Sequence, residues 1–118
     1  MKIQTPRGIV AISNDVFTAI SGYTATNCFG VKGMASRNMQ DGIVQLLRRE
    51  SLAKGVKISP QPEKNEIDIE LHIVVEHGVN IPALCQSIMS EVRYHVEKLT
   101  GINVGSVNVC IDSIMAEG

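Results

Sequence analysis

The 118-residue chain contains no tryptophan, and aromatic side chains make up only 3% of it. A core of this composition has to be filled by Ile, Val, Leu, Met and Ala, and recognition of nucleic acid by stacking bases on rings has little to work with. An excess of charge is missing as well. The formal net charge is -1, so no whole-molecule field draws in phosphate backbones or acidic lipid, and any such binding has to be local. No run of about 20 apolar residues is present to cross a bilayer. Residues 1–8 carry Lys2 and Arg7 but not the apolar stretch of roughly 7–15 residues that a secretory signal needs. The expectation is a cytoplasmic protein that meets a membrane, if at all, through a partner. Cysteine is sparse: Cys28, Cys85 and Cys110 are odd in number, far apart and never in Cys-x-x-Cys spacing. That excludes a sequence-local zinc or dithiol motif and points to free thiols, with Cys85 read as a small buried apolar residue beside Leu84 and Ile88.

What is present is a chain with 44% hydrophobic and 19% charged residues, a size and composition that suit one domain over residues 1–118 with a single core. Residues 8–12 read as a short strand. Ser13-Asn14-Asp15 reads as a helix start, with Ser13 as cap and Ile12 stapled to Phe17, and this first helix runs to about Asn27. Gly30-Val31-Lys32-Gly33 reads as a turn or irregular link. A second helix is expected from the spacing of Met39, Ile43, Leu46 and Leu47, closed by Lys54-Gly55. Residues 56–59 alternate as a strand, residues 60–65 form a polar connection, and Ile67, Ile69, Leu71, Ile73 and Val75 alternate with Asp68, Glu70, His72 and Glu76 in the clearest strand of the chain. Asn80 caps a third helix with Ile81, Leu84, Ile88, Val92, His95 and Leu99 on its apolar face, ended by Gly101. A last strand follows, with a bulge at Gly105-Ser106 where the apolar phase shifts by one residue.

The resulting expectation is an α+β fold of two layers, with three helices on one face of a mixed, largely antiparallel sheet of about four strands in the order β-α-α-β-β-α-β. The other face then carries Lys57, Asp68, Glu70, His72, Asn108 and Asp112.

Three constellations bear on function. Asp68, Glu70 and His72, spaced by two along a strand, could offer two carboxylates and an imidazole to a metal or substrate, but the solvated side of any sheet looks the same, and a flat face lacks the concave pocket a catalytic site needs. The expectation is therefore no catalytic residue, no metal and no cofactor. His72 and His77 stand five apart and make poor joint ligands, while His95 falls on the apolar helix face. The third constellation is Gly30, Val31, Lys32 and Gly33. A Gly-x-x-Gly link between two helices resembles the loop with which KH domains clamp a nucleic-acid backbone, and Arg37, Arg48, Arg49 and Lys54 extend a basic strip beside Lys32. Nucleic-acid binding through residues 30–33 and Arg37 is the alternative function.

Taken together, Lys54-Gly55-Val56-Lys57-Ile58, residues 67–76, Gly78-Val79-Asn80-Ile81-Pro82, Thr100-Gly101 and Val107-Asn108-Val109 resemble the alkaline shock protein family, also called the envelope stress response family, of Gram-positive bacteria. Gly8-Ile9-Val10-Ala11-Ile12-Ser13 and Cys28-Phe29-Gly30-Val31 fit it too. The resemblance implies a non-enzymatic cytoplasmic protein linked to cell-envelope homeostasis or general stress. It further implies self-association and attachment to a membrane through an anchoring partner.

Overall fold

The computed structural model describes residues 1–36 and 54–115. Its elements are β1 (Lys2–Thr5), β2 (Gly8–Ala11), α1 (Asn14–Thr26), β3 (Val31–Met34), β4 (Val56–Gln61), β5 (Glu66–Glu76), α2 (Ile81–Thr100) and β6 (Asn103–Met115). The expected second helix, with Met39, Ile43, Leu46 and Leu47, lies outside the described residues.

β5 is the axis of the main sheet. It spans 11 residues, whereas β4 pairs antiparallel only with its first part, from Gln61↔Glu66 to Val56↔Leu71. That leaves the same edge open further along, and β3 fills it, setting Val31 opposite Val75 and Met34 opposite Ile73. On the other edge β6 runs parallel to β5 for its whole length, from Glu66↔Asn103 to Glu76↔Met115. A parallel return requires a crossover, and the 20-residue α2 provides it.

The expectation of three helices on a single sheet of about four strands is therefore corrected. Among the described residues the chain is mainly strand, with two helices and six strands in two sheets. Two local signals explain the difference. β1 has only Ile3 as an apolar residue, too little alternation to announce a strand; it forms because the turn at Pro6-Arg7 folds it antiparallel onto β2, and Thr5 Oγ1 donates to the Gly8 carbonyl across that turn at 2.9 Å. β3 occupies the segment read as a link. The two glycines break periodicity in sequence, yet Gly30 stays just before the strand at φ 94° and the pairing with β5 absorbs Gly33 with a register shift between Val31 and Gly33.

The core lies between the helices and one face of the main sheet. Ile67, Ile69, Leu71, Ile73 and Val75 of β5 meet Leu84, Ile88, Val92 and Val96 of α2 and Phe17 and Ala25 of α1. α2 begins as its sequence indicates: Asn80 Oδ1 accepts the Ala83 N–H at 3.1 Å, and Gly101 closes the helix at φ 76°, a left-handed conformation that glycine adopts without cost. Its buried stripe advances by four at each step, so Val96 is inside while Leu99 is 68% exposed. At α1, Ser13 occupies the cap position but its side chain makes no capping bond; only its carbonyl is used, by the Val16 N–H at 3.1 Å.

Candidate functional site

With the apolar phase of β5 turned to the core, Asp68, Glu70 and His72 share the opposite face. The parallel register with β6 sets Ser106 beside Asp68, Asn108 beside Glu70 and Cys110 beside His72. Two bulges shape this face. The first skips Gly105, between the pairs Ile67↔Val104 and Asp68↔Ser106, at the place the phase shift in the sequence indicates. The second skips Asp112, between Ile73↔Ile111 and Val74↔Ser113. A bulged residue is free of the ladder and re-aims its side chain, and Asp112 uses that freedom to reach the imidazole of His72.

His72 is thus held from both sides. Its Nδ1 lies 3.0 Å from Asp112 Oδ2, and its Nε2 lies 3.0 Å from Glu70 Oε2. The side chains of His72 and Asp112 are largely sheltered, at 17% and 12% exposure, while Glu70 is open at 41%. The Cys110 sulfur completes the group: one donor atom each from Glu70, His72 and Cys110 lie within 4.8 Å of one another. Burial raises the Cys110 thiol above its ordinary pKa, and the nearby Glu70 and Asp112 carboxylates raise it further, so the thiol stays protonated unless a cation arrives to offset those charges.

Asp68, grouped with Glu70 and His72 from the sequence, belongs elsewhere. It accepts from Ser106 Oγ at 3.0 Å and from Gln61 Nε2 at 3.3 Å, a separate polar patch one step along the sheet. Cys110 and Asp112 are the residues that sequence reasoning did not join to His72. Asp112 carries the right phase for the polar face, but its link to His72 depends on a parallel pairing and a bulge that nothing local in the sequence announces. The remaining histidines stand apart from this cluster. His95 Nδ1 is 3.3 Å from Thr24 Oγ1 and ties α2 to α1, and His77 lies past the end of β5, where its backbone N–H reaches the Met115 carbonyl at 3.0 Å.

The Gly-x-x-Gly segment takes a different form from the helix-joining loop expected of it. Val31, Lys32 and Gly33 are in β3, Gly30 accepts the Glu76 N–H at 2.9 Å, and Lys32 Nζ lies 3.7 Å from Glu76 Oε1. Val31 and Gly33 pair with β5, and Lys32 falls in the register shift between them. Arg37, the other residue of that alternative reading, lies outside the described residues.

The second feature of note is the outer edge of β6. This strand pairs with β5 alone among the described residues. At its start that outer edge is closed by α2: Arg93 Nη1 donates to the Val104 carbonyl at 3.1 Å, and Glu97 Oε2 accepts the Val104 N–H at 2.9 Å. At its far end Ile114 and Met115 are exposed, at 51% and 42%. No helix among the described residues is long and apolar enough to cross a membrane.

Comparison with known proteins agrees with the sequence resemblance. The chain is 32% identical over 115 residues to the uncharacterized protein YloU of Bacillus subtilis, an alignment covering 97% of this chain and 94% of that protein. It is 34% identical over 119 residues to the uncharacterized protein Spy1614 of Streptococcus pyogenes, covering 100% of this chain and 97% of the relative. A Streptococcus pyogenes protein named as a stress response regulator gls24 homolog is 30% identical over 111 residues, 92% of this chain but 59% of that longer protein. No solved structure gives a significant match. The family model that matches spans residues 2–116, and the chain therefore belongs to the alkaline shock protein 23 family, whose described function is cell envelope-related.

Proposed function

We propose that the chain is a non-enzymatic interaction module of the envelope stress response, which binds a second copy of itself or a membrane-anchored envelope protein by adding a strand to the outer edge of β6. The observation that carries this reading is the 13-residue length of β6 and its pairing on one side only among the described residues. An exposed edge presents a row of unpaired N–H and C=O groups that another chain can pair with. Arg93 and Glu97 close that row at Val104 and so confine strand addition to the part beyond it, where Ile114 and Met115 add apolar surface. The family's cell envelope-related function and the stress response regulator named among the relatives supply the biological setting. A module of this kind works in the cytoplasm and reaches the membrane through its partner.

The test is affinity purification from native cells with the membrane fraction included, run beside the Ile114→Lys/Met115→Lys double variant. Recovery of an envelope protein or of further copies of the chain, reduced in the double variant, is the expected result. A strictly monomeric chain at high concentration that also brings down no envelope-associated partner contradicts the proposal.

A further inference from the structure

We propose that Glu70, His72 and Cys110 form a zinc site on the open face of the sheet, with Asp112 as the positioning residue that orients His72. The donors are of the kinds zinc prefers, a thiolate, an imidazole nitrogen and a carboxylate oxygen, and three protein ligands leave a fourth position for water. They come from two adjacent strands, held in register by the pairs Glu70↔Asn108 and His72↔Cys110. Zinc bonds of about 2.0–2.3 Å in a tetrahedral arrangement put donor atoms about 3.3–3.8 Å apart. One donor atom of each residue already lies within 4.8 Å of the others, so the set has to contract by at most about 1–1.5 Å to reach that spacing.

The carboxylate at Nδ1 favours a metal at Nε2. A neutral imidazole carries one N–H, and when Asp112 Oδ2, 3.0 Å from Nδ1, accepts it, Nε2 turns its lone pair toward Glu70 Oε2 at 3.0 Å. Two electron-rich atoms at that distance are brought together by a proton or by a metal ion, and zinc on Nε2 is one way to meet that need. A carboxylate that fixes the outer nitrogen of a ligating histidine is the usual support of a zinc site. The bulge that places Asp112 is then a device for building that support. The competing description is an imidazolium held between two carboxylates, and Cys110 separates the two: an ion pair has no use for the sulfur, whereas the metal site requires it.

The experiment uses the full chain, stripped with a chelator and titrated with zinc by calorimetry and with cobalt as a spectroscopic substitute. One equivalent of zinc is expected to bind, and cobalt is expected to give a thiolate-to-metal charge-transfer band. Cys110→Ser removes that band, His72→Ala abolishes one-to-one binding, and Asp112→Asn weakens zinc about 10–100-fold with the position and intensity of the cobalt d–d bands unchanged, whereas loss of a ligand would alter them. Peptide-resolved alkylation of the unaltered chain provides a measurement independent of how the variants fold. Zinc should protect Cys110 and leave Cys28 and Cys85 as reactive as before. Absence of saturable binding, or protection that spares Cys110, overturns the proposal.

Discussion

Replacing Ile88 by alanine, with Leu99→Ala as its companion, separates the buried stripe of α2 from the one its spacing suggests. Both residues lie on the apolar face drawn from sequence, yet Ile88 is fully buried and Leu99 is 68% exposed. Truncating Ile88 removes three buried carbons worth about 0.8 kcal/mol each and leaves a cavity in the core, for a total of about 3 kcal/mol. Unfolding entropy of about 2.1 cal/mol/K per residue converts that loss into a fall of about 12 °C in the midpoint for a chain of this length. Leu99→Ala, which empties no enclosed space, should cost less than about 0.5 kcal/mol, or about 2 °C. Thermal and urea unfolding of the two variants followed by circular dichroism reads both numbers, with an unchanged urea slope confirming that the native state is the one being compared. Equal losses, or a loss under about 1.5 kcal/mol for Ile88→Ala, would refute the packing described between α2 and the sheet.

Other expectations follow from the same geometry. Asn80→Ala removes the bond to the Ala83 N–H and should cost about 1 kcal/mol, whereas Ser13→Ala, at a cap whose side chain makes no bond, should cost only a few tenths; denaturant midpoints of the two variants check the order. Ser21 Oγ is buried in α1 and has no hydrogen-bond partner among the described residues, so Ser21→Ala should be neutral or stabilising by up to about 1 kcal/mol, and a clear loss of stability would reveal a bond to that hydroxyl.

The C-terminal half of the chain was the most legible because there local rules and packing agree. The alternation from Ile67 to Val75, the Asn80 cap, the Gly101 terminator and the phase break at Gly105 each state their structure within a few residues, and the fold uses all of them. The N-terminal part was less legible because its strands are made by tertiary pairing. β1 has one apolar residue and β3 contains Gly33, so neither shows a period, and both exist because β2 and β5 offer them edges. The polar cluster falls between these cases. Its residues could be placed on the outer face by phase, but which of them meet depends on a parallel return through α2 and on the bulge at Asp112. Asp68 therefore looked like a companion of His72, while Cys110, 38 positions along the chain from His72, did not.

The most direct test of the interaction proposal is hydrogen–deuterium exchange of the chain alone and in complex with whatever it brings down from the membrane fraction, a second copy included. Strand addition at the outer edge of β6 predicts new protection concentrated between Ser106 and Met115, with Val104 unchanged because Arg93 and Glu97 already hold its backbone groups. A complex that protects other segments and leaves the exchange of β6 unaltered would contradict it.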